Sequence, residues 1–239
     1  MRHRLFLAAL LAVTAALAVP AVGTAAPGPL FAPNHKISQS TSSNWSGYAA
    51  TGGGFTTVSA NWTQPTASCG ATATYLSFWV GIDGDGSGTV EQTGTSADCS
   101  GGVAKYYAWY EMYPKFPTNL SLAIRPGDSM SGSVTTSGNG SFTLTIRNNT
   151  TGQSFTTNQR AKRASLFSAE AIAEAPSSSG GVLPLTNFGT VNFSATTVNG
   201  SAIGNFNPDR IDMVSGGVTK ATTSALSGGT SFSVAWKHS

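Results

Sequence analysis

The chain has 239 residues, and only 10% of them are charged, with 13 Lys and Arg against 10 Asp and Glu. Its first 25 residues combine a basic start, an apolar run and a small-residue end, which is the layout of a secretory signal peptide. Cleavage after Ala25 is favoured over cleavage after Ala26, which Pro27 follows. The mature chain then has 11 basic and 10 acidic residues, so this balance argues against nucleic-acid binding, which needs clustered Lys and Arg.

We expect a secreted, extracellular product with no membrane association in its mature form, because no later apolar stretch is long enough to cross a bilayer. Residues 26–43 are rich in Pro and polar residues and are predicted to form a short flexible leader or propeptide. Residues 44–239 are the predicted folded domain. The sequence shows no self-association motif, so a monomer is expected.

Cys69 and Cys99 are the only two cysteines. In a secreted chain such a pair most simply forms one disulfide, although two free thiols or a metal site are the alternatives. Closure of this loop is expected to stabilise the fold by about 3 kcal/mol.

Short runs of alternating β-formers, separated by Gly, Ser and Asn, follow the leader. Examples are FTTVSANWT (55–63), TYLSFWVGI (74–82), KYYAWYEMY (105–113), SFTLTIRN (141–148) and SFSVAWK (231–237). Many short strands and few helical patterns predict an all-β fold, either an antiparallel two-sheet sandwich or a barrel.

The segment LFSAEAIAEA (166–175) is ambiguous, because it is rich in helix formers. It is short, it ends at Pro176 and its neighbours are strand-like, so we predict a strand. In a strand or in a helix, Glu170 and Glu174 would point to the same side.

Several chemistries are disfavoured by what the sequence lacks. The three histidines are His3 in the signal peptide, His35 in the leader and His238 next to the last residue, so none is well placed for a histidine-based triad. The zinc-binding HExxH pattern is absent, and the Gly-rich stretch 81–88 does not lead into a helical pattern.

The stretch AWYEMYP (108–114) places an acid between two aromatic residues. Strand alternation puts Trp109, Glu111 and Tyr113 on one face, with Tyr110 and Met112 on the other. This pattern is typical of the floor of a groove, although an amphipathic strand over a core has the same pattern.

Seven stretches and a tail occur in a fixed order along the mature chain. They are SNWSGY (43–48), GFTTVSANWTQP (54–65), WVGIDG (79–84), EQTG (91–94), AWYEMYP (108–114), TTGQSF (150–155), AEAIAE (169–174) and FGTVNF (188–193). Together they resemble the glutamic peptidases, or eqolisins, a family of acid endopeptidases.

The resemblance implies an antiparallel two-sheet sandwich of the concanavalin-A-like or jelly-roll type with a curved substrate groove. It implies that Gln92 and Glu174 are catalytic, that protein or peptide chains are the substrates, and that no metal or cofactor is required. It also implies a set of residues that line or support the groove, namely Trp79, Asp83, Trp109, Glu111 and Tyr113.

In the implied mechanism the Glu174 carboxylate takes a proton from an attacking water, and the Gln92 amide stabilises the oxyanion without a covalent intermediate. The chain departs from fungal relatives at two positions that bear on substrate preference. Ala171 stands where they have an aromatic residue, and Tyr107 stands where they have an acid.

Two other functions fit parts of the pattern. A non-catalytic carbohydrate-binding sandwich would use the aromatic residues for stacking on sugars. A glycoside hydrolase would use Glu111 and Glu174 as its pair of carboxyl groups, and Gln92 would then have no chemical role. A family member that has lost its activity is a third alternative.

Overall fold

The computed structural model describes residues 41–239, so the predicted signal peptide and most of the predicted leader lie outside the described residues. Within residues 41–239 the chain forms eighteen strands and one short 3₁₀ helix. Over the same range, no helix is both long enough and apolar enough to span a bilayer.

The strands follow one another with short connections. They are β1 (Thr41–Ser42), β2 (Trp45–Thr51), β3 (Thr57–Thr63), β4 (Ser77–Ile82), β5 (Val90–Ser100), β6 (Val103–Tyr113), β7 (Thr118–Leu120), β8 (Ser129–Thr136), β9 (Ser141–Asn148), β10 (Ser154–Arg160), β11 (Ser168–Glu174), β12 (Ser177–Ser178), β13 (Gly181–Val182), β14 (Thr190–Val198), β15 (Ser201–Ala202), β16 (Asp209–Ser215), β17 (Val218–Thr223) and β18 (Phe232–Trp236), with the 3₁₀ helix at Ile203–Phe206 before β16.

Hydrogen bonding joins most of these strands in the order β10-β9-β8-β3-β14-β18-β17-β16-β2-β11-β4-β5-β6-β7. The path passes from one layer to the other at β16, which pairs with β2 through residues 209–211 and with β17 through residues 213–215. We call β2, β11, β4, β5, β6 and β7 the first layer. The second layer consists of β17, β18, β14, β3, β8, β9 and β10.

The two layers pack face to face around an apolar core. Trp62 of β3 donates its indole N–H to Thr95 of β5 at 3.0 Å, and the rings of Phe78 in β4 and Phe193 in β14 lie 6.3 Å apart. These contacts join strands of opposite layers, so the predicted two-sheet sandwich is confirmed and the barrel alternative is wrong.

Strand β11 confirms the strand prediction for the ambiguous segment, with all seven of its residues buried. Its odd-numbered alanines, including Ala171, pack into the core between the layers. Strand alternation turns the Ala171 side chain away from the outer face, and its bearing on substrate preference stays a prediction.

Two further predictions concern the disulfide and the start of the domain. The Cys69–Cys99 disulfide is present, with the two Cα atoms 5.3 Å apart, and it ties the connection after β3 to β5. Thr41 and Ser42 form β1, which pairs in parallel with Asp212 and Met213 of β16. The domain boundary at residue 43 stays a prediction.

Candidate active site

The outer face of the first layer carries a second cluster of buried side chains, separate from the core, and we call this surface the groove face. The cluster consists of Trp45, Ala49, Trp79, Val90, Trp109, Ile172 and Ile211, with Tyr107 and Tyr113 packed at its edge. Strand alternation explains it, because every second residue of β2, β11, β4, β5 and β6 points to this side.

Glu174 lies at the end of β11 on the groove face and is only 2% exposed. Each of its carboxyl oxygens accepts a hydrogen bond from a side chain. Asn44 Nδ2 donates to Oε1 at 3.0 Å, and Trp79 Nε1 donates to Oε2 at 2.7 Å. Burial raises the pKa of Glu174 well above its usual range, and the nearby Glu111 raises it further, whereas the Trp79, Trp45 and Asn44 donors lower it.

Gln92 is fully buried in β5, directly opposite Glu111 in β6. Its Nε2 donates to Glu111 Oε2 at 2.6 Å, which fixes the orientation of the amide. Gln92 Oε1 is buried and has no hydrogen-bond partner among residues 41–239. The contact with Glu111 uses one N–H of the amide, and the carbonyl oxygen stays without a partner among the described residues.

The strand register relates Gln92 to Glu174. Glu174 pairs with Ser77 at one end of β4, and Gln92 pairs with Gly81 near the other end. Trp79 lies between these two positions in β4, and its indole N–H contacts Glu174. The structure therefore places the two predicted catalytic residues on either side of Trp79.

Two glycines make room for the Trp79 side chain. A Cβ at Gly81 would lie 2.9 Å from Trp79 Cζ3, and a Cβ at Gly94 would lie 2.7 Å from Trp79 Cβ. A side chain at Gly81 would displace the indole ring, whereas one at Gly94 would clash with the Phe78 carbonyl oxygen and with the Cα and Cβ atoms of Trp79. The glycines of the WVGIDG and EQTG stretches thus leave room for Trp79 between Gln92 and Glu174.

The remaining residues predicted to line or support the groove occupy two different environments. Trp109 and Tyr113 belong to the outer cluster, as strand alternation predicted. Asp83 is fully buried after β4, and its two carboxyl oxygens accept the backbone N–H groups of Leu166 and Phe167 at 2.8 and 2.7 Å. Asp83 therefore anchors the segment that leads into β11.

Glu170 lies at the opposite end of β11 from Glu174 and is fully buried on the same face. It accepts the backbone N–H of Asp85 at 3.2 Å. Burial raises its pKa well above the usual range, the Ser168 hydroxyl and the Asp85 amide lower it, and the Asp85 and Asp83 carboxyl groups raise it.

Glu91 is a buried acid that the sequence reasoning missed. It is fully buried on the core side of β5, opposite in direction to Gln92. Burial, with a further contribution from Asp83, raises its pKa to about 8, and the Thr89 hydroxyl lowers it slightly. Within residues 41–239 no donor completes a hydrogen bond of normal geometry with either of its oxygens.

Tyr107 and Asp98 form a polar pair at the edge of the groove face. The Tyr107 hydroxyl donates to Asp98 Oδ2 at 2.8 Å. Burial raises the pKa of Asp98 to about 6, and Tyr107 and Lys105 lower it. Tyr107 stands where fungal relatives have an acid, but the Asp98 carboxyl group on the adjacent strand β5 lies beside this position.

Asn44 is the other residue that the sequence reasoning missed. It belongs to the SNWSGY stretch, but an asparagine in a polar segment gives no local signal of its role. The structure reveals it because β1 and β2 bring it beside Glu174, 130 residues later in the chain. Among residues 41–239, no group of three or more His, Cys, Asp or Glu side chains is arranged to hold a metal ion.

Known proteins resemble this chain in sequence and in structure. Aspergillopepsin-2 of Aspergillus niger is 31% identical over 218 residues, which cover 80% of this chain and 77% of the relative. Scytalidopepsin B of Scytalidium lignicola is 43% identical over 113 residues, which cover 46% of this chain and 42% of that protein.

The crystal structure of scytalido-glutamic peptidase with a transition state analog inhibitor superposes with a TM-score of 0.72 and 30% identity, covering 82% of this chain and 98% of that one. Residues 43–236 match the sequence pattern of the Peptidase A4 family. This family assignment favours peptide hydrolysis over the two sugar-directed alternatives. The chain belongs to the Peptidase A4 family, the glutamic peptidases, and is a peptide hydrolase.

Proposed function

We propose that the protein is a secreted acid endopeptidase in which Glu174 activates a water molecule and Gln92 stabilises the oxyanion. One observation carries the proposal. A buried carboxyl group with a side-chain donor on each oxygen shares a face with a buried glutamine whose amide is held by a second acid. Neither arrangement is needed for sheet packing, and in both the burial of polar side chains costs free energy.

Glu174 acts first as a general base. Its carboxylate takes a proton from the water while the water oxygen attacks the carbonyl carbon of the peptide bond, and the carbonyl electron pair moves to the oxygen. Protonated Glu174 then gives the proton to the leaving nitrogen as the C–N bond breaks. No bond forms between the enzyme and the substrate, so the products are a free carboxylic acid and a free amine.

Gln92 acts on the oxygen that becomes negative. Its Nε2 has two N–H groups, and Glu111 accepts one of them, which leaves the other for the oxyanion. Such a donor contributes about 3 kcal/mol when it is held in place before the reaction. The Gln92–Glu111 contact supplies this preorganisation because it fixes the amide plane.

The pKa of Glu174 sets the pH range over which activity falls as the solution becomes more acidic, and we call this part of the plot of activity against pH the acid limb. The base form predominates above this pKa, so activity must fall as the pH drops through it. Burial and Glu111 move the limb to higher pH, and the donors from Asn44 and Trp79 move it back.

The substrates and the location follow from different evidence. The solved relative is bound to a transition state analog inhibitor, and its name describes a peptidase, so we infer protein or peptide substrates for this chain. Secretion rests on the predicted signal peptide in residues 1–25.

The test is cleavage of a denatured protein by the purified mature chain between pH 2 and 7. We expect activity in acid that falls by about 100-fold or more in Glu174→Gln and in Gln92→Ala, while circular dichroism shows both variants folded. Gln153→Ala is the control, because Gln153 is exposed in the connection between β9 and β10. Full activity in either catalytic-site variant would reject the assigned roles, and a wild-type chain that cleaves nothing would favour a relative that has lost its activity.

A further inference from the structure

Asn44 is held rigidly beside Glu174 by the chain that precedes β2. It is fully buried, and its backbone carbonyl accepts the N–H of Ala175 at 2.8 Å. The Ser42 hydroxyl donates to Asn44 Oδ1 at 3.2 Å and accepts the backbone N–H of Trp45 at 3.2 Å. Because Oδ1 is an acceptor for Ser42, the Nδ2 end of the amide is directed at Glu174, 3.0 Å from Oε1.

We propose that Asn44 is a positioning residue for peptide hydrolysis, which holds the Glu174 carboxyl group in one orientation and favours its ionised form. This inference rests on the proposed role of Glu174 as the general base. Asn44 and Trp79 donate to different oxygens of the same carboxyl group, so together they fix its plane. With only one donor the group could rotate about its last side-chain bond.

The surroundings of Glu174 explain why a neutral donor is needed there. The acidic group that acts on it is Glu111 from β6, which opposes its ionisation. The side chains that favour ionisation are the indoles of Trp79 from β4 and Trp45 from β2 and the Asn44 amide. All three are neutral at every pH of interest, so their support does not titrate away in acid.

The position of Asn44 also links the site to the start of the described chain. Ser42, which orients the amide, lies in β1, and β1 is fixed by parallel pairing with residues 212–213 of β16. Residues 41–43, at the end of the predicted leader, are thus part of the support for Glu174.

The experiment compares Asn44→Ala with Asn148→Ala in the mature chain. Asn148 is an equally buried amide that donates to a carboxylate, Asp128, at 2.7 Å, but it lies in β9 of the second layer. Both variants lose a buried amide–carboxylate contact, so both should lower the melting temperature. Only Asn44→Ala should reduce kcat, by about 10- to 100-fold with little change in KM, and move the acid limb to higher pH.

Asn44→Asp keeps the shape and provides a second test if the alanine variant does not fold. A protonated aspartic acid can still donate to Glu174, whereas an ionised one repels it. Because the ionised aspartate of this variant opposes the ionisation of Glu174, we expect its acid limb to lie at higher pH than that of the wild type. An acid limb and kcat identical to wild type in a folded Asn44→Ala, or an unchanged profile in Asn44→Asp, would overturn the proposal. Measurement of Glu174→Gln in the same series separates the positioning role of Asn44 from the general-base role of Glu174. An active Glu174→Gln would reject the general-base role itself.

Discussion

The two ends of strand β11 carry the same residue in different surroundings. Glu174 has a side-chain donor on each oxygen, Asn44 on one and Trp79 on the other. Glu170 accepts a backbone N–H on Oε1, whereas its Oε2 is buried without a hydrogen-bond partner among residues 41–239. Both have a raised pKa, so burial alone does not distinguish them.

The difference lies in what each carboxyl group holds. Glu170 contacts the turn after β4, where Asp83 also fixes the segment that leads into β11. Glu174 contacts only side chains that orient it, and Gln92 shares its face. These contacts agree with the proposed catalytic role of Glu174 and with a role of Glu170 in holding the turn after β4.

The largest expected effect separates the two glutamates by activity. Glu174→Gln should lower kcat by about 100- to 10,000-fold, because it removes the base. Glu170→Gln should stay within a few-fold of wild type, since it keeps the shape and an acceptor for the Asp85 amide. Assays of both variants on one peptide check this, and a comparable loss in the two would end the functional distinction between the ends of β11.

A second prediction concerns pH-dependent stability and Glu91. A pKa raised from 4.5 to about 8 means that the protonated acid stabilises the fold fully below 4.5, and this contribution is lost as the pH rises through about 8. Glu91→Gln should therefore reduce the drop in melting temperature between pH 4 and 8.5, with a stability change on the order of a few kcal/mol.

The control for Glu91→Gln is Asp209→Asn, because Asp209 is exposed at the start of β16. This control should leave the pH dependence of the melting temperature unchanged. A Glu91→Gln variant with the same drop as wild type would show that Glu91 ionises without cost in the folded protein. Glu170→Gln should act in the same direction, since its pKa is also raised by burial.

A third prediction tests the second donor on Glu174. Trp79→Phe keeps an aromatic ring over Gly81 and removes the indole N–H that donates to Oε2. We expect kcat to fall by about tenfold and the acid limb to move to higher pH, because the lost donor favoured the ionised form. The kcat profile against pH provides the measurement, and an unmoved limb would show that the contact does not stabilise the carboxylate.

The smallest expected effect is at the edge of the groove face. Tyr107→Phe removes the hydroxyl that donates to Asp98, so the pKa of Asp98 should rise above its value of about 6. Titration of the Asp98 carboxyl carbon by NMR would show this shift, with activity on a peptide expected within about twofold of wild type since the pair does not contact Glu174 or Gln92. A large loss of activity would place Tyr107 among the residues that bind substrate.

The sequence alone determined the fold class and which residues of a strand share a face. Alternating β-formers predicted strands, and alternation within AWYEMYP placed Trp109 and Glu111 on one face, as the structure confirms. Two cysteines predicted the disulfide. These features are readable because side-chain direction in a strand repeats every two residues, so local order is sufficient to predict them.

Only the tertiary structure decided which residues contact one another across strands. Asn44 and Glu174 are 130 residues apart, and Glu91 and Gln92 are adjacent in β5 but point to opposite sides of the sheet. Strand order and register determine such contacts, and they depend on the packing of both layers together. The carboxylates were visible in the sequence, but the donors and acids that set their pKa values became visible only when the sheet had brought distant strands side by side.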